Sequence, residues 1–150
     1  AAGAACETIE DVSGHTPGIK WVNDIYIDGR KVSGILTEAS ISMESGSVEY
    51  VVVGIGFNVY FPEDGFSREI ENIAGAIFDQ KKNDGKNLLA AGFLNHFMNY
   101  YAEFDKKDYV KKYQERSLVV GKEVLQKNRY DYRCFCCGTW ILFRTFASET

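Results

Sequence analysis

The sequence predicts an α+β fold in which a mixed β-sheet is backed by helices, and three observations carry that expectation. Asp28-Gly29 joins two β-rich runs, a strong hairpin signal because a type I′ turn needs positive φ at both central residues. Residues 49–53 are β-branched and nearly continuous, as expected of a strand buried on both faces. Helical spacing opens the chain and returns beyond residue 87.

The elements follow in order. Residues 1–12 are Ala-rich, with Ala2, Ala5, Cys6, Ile9 and Val12 on one helical face, and the Gly and Pro of residues 13–18 end the helix. Lys20-Trp21-Val22-Asn23-Asp24 is extended, with a break expected at Asn23-Asp24, residues that favour turns over strands. A two-residue turn pairs Tyr26 with Lys31, Asp24 with Ser33 and Asn23 with Gly34, so Lys31 and Asp24 share a face and Asn23 points to the other. Arg30 sits at the turn and should tolerate Ala. A strand continues over residues 37–43, Ser45-Gly46-Ser47 turns it, and the next strand runs into Gly54-Ile55-Gly56. Such a Gly-x-Gly lets the backbone approach a ligand and offers amides to anionic oxygens, and it also fits a β-bulge. It is no dinucleotide fingerprint, because a third Gly and a following helix are missing. Ile70, Ile73, Ala74 and Ile77 have helical spacing. Asn87 is placed to cap a helix from Leu88 to about Phe104, with Leu88, Ala91, Leu94, Phe97, Met98 and Tyr101 as its buried stripe and His96 exposed. Residues 105–116 read as a shorter helix with Tyr109 and Tyr113 on one side.

Composition narrows the function. A net charge of −4 argues against non-specific nucleic-acid binding, which needs a basic surface. No apolar run reaches membrane-span length and no basic-then-apolar signal opens the chain, so a cytoplasmic location is expected. The chain begins at Ala1, inside a helical pattern, which favours a fragment.

Three motifs then stand in order: Lys20-Trp21-Val22-Asn23-Asp24, Arg30-Lys31-Val32-Ser33-Gly34-Ile35-Leu36-Thr37-Glu38, and Gly54-Ile55-Gly56-Phe57-Asn58. Together they resemble the catalytic domain of biotin protein ligases over roughly residues 1–124, with Val22 where that family usually has Pro. The resemblance implies a class II synthetase-like catalytic part over residues 1–116. It also implies the start of a small, incomplete SH3-like barrel over residues 117–150, opened by a strand at residues 118–124. The implied activity is a ligase reaction: biotin and ATP form biotinyl-5′-AMP, and a lysine of a biotin carboxyl carrier protein takes the biotinyl group. Biotin, ATP and Mg²⁺ are the implied small molecules; no nucleic acid or membrane is expected as a partner, and a homodimer is left open.

On that reading Lys31, held by a rigid strand, stabilises the charge gathering on the α-phosphate. Asp24 is a hard oxygen ligand suited to Mg²⁺. Asn23 and Asn58 offer the donor and acceptor needed to read an adenine edge or a ribose hydroxyl. Gly34, Gly54 and Gly56 leave room for the adenylate, Ile35 and Phe57 join the substrate- and nucleotide-binding set, and Lys20 either lines the site with them or pairs with a carboxylate. The family's Gly-Arg-rich loop has no counterpart, since no Gly-Arg-Gly run occurs in the chain. The chain alone is therefore expected to be inactive. Two other readings remain: a non-catalytic biotin- or nucleotide-binding remnant, and a structural protein whose hairpins only build a core. Residues 125–140 break the resemblance and read as a sequence artefact or an irregular tail. Cys134 and Cys137 have C-x-x-C spacing, but no second knuckle completes a zinc site.

Overall fold

The computed structural model describes residues 1–126, 132–137 and 140–142, with side chains through residue 123. Helix α1 (Ala2–Ser13) buries Ala4, Ala5, Cys6, Thr8 and Ile9, and ends where Gly14 takes φ 76°. Its buried polar residue is satisfied within the helix, as Thr8 Oγ1 donates to the Ala4 carbonyl at 2.7 Å. Strands β1 (Gly18–Lys20), β2 (Asp24–Ile27), β3 (Arg30–Ile41) and β4 (Val48–Phe57) follow as one antiparallel sheet in the order β1-β2-β3-β4. Isolated parallel bridges at Ile19–Ser117 and Lys31–Ala74 attach to it, which makes the arrangement mixed, and another joins Tyr60 to Phe78. Helices α2 (Gly85–Ala102) and α3 (Asp108–Arg116) come after it. Strands β5 (Glu123–Gln126), β6 (Tyr132–Cys137) and β7 (Trp140–Leu142) form a separate three-stranded antiparallel sheet. The side chains of Cys134 and Cys137 lie outside the described residues, and the C-x-x-C reading lies there with them.

The core lies between the sheet and the helices: Ile9 of α1, Ile19, Ile25, Val32 and Ile35 of the sheet, Ile77, and Leu89 and Phe93 of α2. At about 25 cal/mol per Å² of apolar surface removed from water, each such side chain contributes roughly 1.5–3 kcal/mol. Close approach sets the α1–α2 packing, since a Cβ on Gly92 would come within 2.9 Å of Thr8 Cγ2.

Several expectations are corrected. Helix α2 starts at Gly85 rather than after Asn87, behind Asp84, and the Leu88 amide donates to the Asp84 carbonyl at 2.8 Å. The stripe it buries is Leu89 and Phe93, with Phe97 and Tyr100 packed against the core, while Leu94, Met98 and Tyr101 are exposed. Apolar residues surround this helix, so periodicity could not choose a face; the contact with Thr8 does. His96 is held between α1 carboxylates, its Nε2 2.8 Å from Asp11 Oδ2 and its Nδ1 3.3 Å from Glu7 Oε2. Strand β4 is exposed over residues 48–52, because the helical layer reaches only as far as Val53, Ile55 and Phe57. Residues 67–74 make hydrogen-bonded turns instead of a helix. The strand expected at residues 118–124 begins only at Glu123. Before it, Leu118 bonds the edge of β1, its amide donating to the Ile19 carbonyl at 2.8 Å.

Candidate active site

The β2–β3 hairpin turns as its sequence requires: Asp28 and Gly29 both have positive φ, 48° and 75°. Next to the turn the register is the expected one, Ile27 with Arg30 and Tyr26 with Lys31. One residue further it shifts. Ile25 pairs with Ser33 and Asp24 with Gly34, so Val32 is the extra residue of a β-bulge. The expected pairings of Asp24 with Ser33 and of Asn23 with Gly34 are therefore corrected. Val32 and Ser33 are both buried, 1% and 2% exposed, as a bulge that points two successive side chains to one side allows. Lys31 and Gly34 consequently face the other side together. The expected sharing of one face by Lys31 and Asp24 holds, through a bulge that the pairing argument did not contain.

The result is a row across four strands: Lys20 pairs with Asp24, Asp24 with Gly34, and Gly34 with Gly56. Gly54, opposite Leu36, lies two residues along the same face as Gly56. Above this glycine floor Lys31 Nζ meets Asp24 Oδ1 at 2.6 Å, both side chains a little over one third exposed. The pair crosses directly over Gly34, where a Cβ would lie 3.3 Å from Lys31 Cε, 3.4 Å from its Nζ and 3.6 Å from Asp24 Oδ1. Nothing lies within 4 Å of a Cβ placed on Gly56. Lys20 stands at the end of the row with its Nζ 5.2 Å from the centre of the Tyr26 ring. The register through Leu36–Gly54, Ile35–Ile55 and Gly34–Gly56 is unbroken, so the Gly-x-Gly does not mark a bulge.

The break at residues 21–23 is present, between the end of β1 and Asp24, and the Trp21–Val22 peptide bond is cis. Two contacts brace it. The Ile35 amide donates to the Asn23 carbonyl at 3.1 Å, and Tyr113 of α3 donates its hydroxyl to the Val22 carbonyl at 3.2 Å. Trp21 packs edge-on against the same Tyr113 ring, 6.1 Å between centres. Burial pushes the Tyr113 phenol up to about 12.

Other expected site residues fall elsewhere. Ile35 and Phe57 face the core, Ile35 9% exposed and Phe57 edge-on to Phe93 of α2, so their side chains are not on the glycine floor. Asn58 turns its side chain back to the hairpin, Nδ2 donating to the Lys31 carbonyl at 3.2 Å, and thereby helps fix the Lys31 backbone. Arg30 was expected to be a neutral turn residue. Its Nη1 instead donates to the carbonyls of Glu71 at 2.8 Å and Ala74 at 3.3 Å, contacts separated in sequence by more than forty residues. No local pattern signals such a partner. Among the described residues no group of three or more His, Cys, Asp and Glu is placed to hold a metal, and no helix is long and apolar enough to cross a membrane.

The chain that carries this glycine-floored sheet, its ion pair and the helices behind it resembles biotin protein ligases in sequence and in fold. Residues 2–58 match the model of the Biotin/lipoate A/B protein ligase family. The bifunctional ligase/repressor BirA of Bacillus spizizenii is 38% identical over 98 residues, 65% of this chain and 29% of that protein. Its namesake in Bacillus subtilis is 37% identical over the same length. The apo structure of biotin protein ligase from Aquifex aeolicus superposes with a TM-score of 0.64 at 25% identity, covering 83% of this chain and 55% of that one. The Aquifex aeolicus enzyme in complex with biotin and ATP gives 0.66 at 20% identity, a likeness of fold, over 95% of this chain and 65% of that one. The chain thus spans 29% of the length of the curated relatives it matches.

Proposed function

We propose that this chain carries part of an ATP-dependent biotin–protein ligase site, and that the glycine floor receives the adenylate. The observation that carries the reading is the placement of the Lys31–Asp24 pair over Gly34, at the head of a row open to solvent. In the reaction a biotin carboxylate oxygen attacks the α-phosphorus of ATP, the bond to pyrophosphate breaks, and pyrophosphate leaves. The mixed anhydride then acylates a lysine amine of a biotin carboxyl carrier protein, releasing AMP and the amine proton. Lys31 is the catalytic residue: its ammonium stabilises the charge that develops on the α-phosphate oxygens, and a strand-fixed cation does so with little reorganisation.

Asp24 fits Mg²⁺ as a single carboxylate ligand, because that ion usually keeps several waters and takes its other ligands from substrate phosphates. Bound there, the ion would neutralise phosphate charge. Gly34, Gly54 and Gly56 admit the nucleotide; Lys20 and Asn23 border it. Ile35 and Phe57 contribute backbone alone, and Asn58 acts through Lys31. The separate sheet after α3 supports reading residues 117–150 as the start of a second, small domain.

No Gly-Arg-Gly run occurs in the chain, so the charge stabilisation around the phosphate is incomplete within it. The isolated chain should therefore release little pyrophosphate from biotin and Mg-ATP. The alternative is a non-catalytic remnant that binds biotin or nucleotide through the same side chains without turnover. The deciding experiment joins this segment to the remainder of a ligase catalytic domain and compares wild type with Lys31→Ala. Adenylate formation should fall by about 10²–10³, the range for removing one charge-stabilising donor. Stability should change by no more than about 1 kcal/mol, as for an exposed ion pair. Equal adenylate yields would remove Lys31 from the site, and binding without turnover in the wild type would favour the remnant.

A further inference from the structure

We propose that Arg30 is a positioning residue for Lys31, acting through the backbone of residues 71–75; the inference rests on the proposed role of Lys31. Beside Lys31 the sheet changes partner. Strand β4 pairs with β3 only as far as Ser33–Phe57, and beyond it the neighbour of β3 is the segment that follows the turns at residues 67–74. That segment takes both peptide groups of Lys31: the Lys31 amide donates to the Ile73 carbonyl at 2.7 Å, and the Gly75 amide donates to the Lys31 carbonyl at 2.8 Å. Asn58 Nδ2 adds a second bond to the same carbonyl. The location of the Lys31 backbone over the floor is thus set on one side by β2 and on the other by a loop.

A loop is a weak support unless something fixes it, and here Arg30 does. Residues 67–74 form consecutive hydrogen-bonded turns, the Glu71 amide donating to the Ser67 carbonyl and the Ala74 amide to the Ile70 carbonyl. The carbonyls of Glu71, Ile73 and Ala74 accept no amide from within these turns, so each takes its donor from outside them. The Arg30 guanidinium meets two of them, Glu71 and Ala74, and the Lys31 amide meets the third, Ile73. Packing reinforces this, since a Cβ on Gly75 would lie 2.7 Å from Arg30 Cβ, leaving room for the backbone alone. Arg30 and Lys31 are adjacent, so the side chain that holds the loop and the peptide that the loop holds move together.

The test needs no catalysis and can be made on this chain. Amide exchange at Lys31 and Gly75, and the rate at which the Lys31 amine is acylated by acetic anhydride, are compared in wild type, Arg30→Ala and Arg30→Lys. In Arg30→Ala the two amides should exchange at least tenfold faster and Lys31 should be acylated several-fold faster, while the amides of Ile9 and Leu89 in the core keep their protection. Arg30→Lys, which can still donate to a carbonyl, should fall between the two and also covers a failure of the Ala variant to fold. Exchange and acylation within twofold of wild type in both variants would overturn the proposal. Loosening of Lys31 in a chain whose parent ligase proves not to use Lys31 would leave the positioning intact and refute only the catalytic reading.

Discussion

Gly34→Ala separates stability from function more sharply than any other change in the site. Gly34 lies in β3 without a positive φ, so Ala suits its backbone. Replacing Gly there reduces the entropy of the unfolded chain and should stabilise by about 0.4–1 kcal/mol where no strain results. The new methyl would sit 3.3 Å from Lys31 Cε and 3.4 Å from its Nζ, closer than carbon atoms pack comfortably. Lys31 is a long side chain, 38% exposed, and can yield towards solvent, so the contact costs little. What is lost is position. The Lys31–Asp24 pair must rise off the floor by some tenths of an ångström, and the floor itself becomes shallower. A displacement approaching 1 Å in a reacting group can cost about 10²-fold in rate. A thermal melt should therefore show the midpoint unchanged or raised by roughly 1–4 °C, the shift that corresponds to such a gain in a chain of this size. Biotin-dependent pyrophosphate release in a complete catalytic domain should fall about 10–100-fold. Full activity in Gly34→Ala would show that the floor does not receive the adenylate. A large drop in the melting midpoint would show that the Lys31–Asp24 pair cannot move, against the exposure on which the argument rests.

Two further outcomes concern the core. Ser33 is 2% exposed and its hydroxyl has no hydrogen-bond partner, so Ser33→Ala should stabilise by about 1 kcal/mol, the lower end of the cost of an unsatisfied buried polar group. A clear loss of stability in a denaturant titration would instead reveal a bond to that hydroxyl. Stability should also fall in alkali. Burial pushes the Cys6 thiol from its usual 9.0 up to about 12 and the Tyr113 phenol from 10.0 up to about 12. The folded chain therefore keeps protons that the unfolded chain has released. The associated stability is complete below about pH 9 and is lost as pH rises towards 12, for Cys6 by roughly 1 kcal/mol per pH unit at the steepest. In Cys6→Ala the decline should begin nearer pH 10; an unchanged profile would show that the thiol does not contribute.

The parts of this protein that its sequence determines alone are those governed by a few adjacent residues. Asp28-Gly29 dictates a turn because its φ angles are a property of the two residues, and Gly14 ends α1 for the same reason. The sharing of one face by Lys31 and Asp24 was equally expected from the strand period, which however put Gly34 on the other face with Asn23. Tertiary structure decided the rest. It inserted the bulge at Val32, because both Val32 and Ser33 are taken into the core and the strand must absorb the extra residue. It sent Ile35 and Phe57 inward to the helices and turned Asn58 onto Lys31. It chose the face of α2 through the contact of Gly92 with Thr8, where a helix apolar all round offered no preference. And it gave Arg30 partners forty residues away, since turn carbonyls without local donors accept whichever donor the fold carries to them, and no spacing in the chain records which one that is.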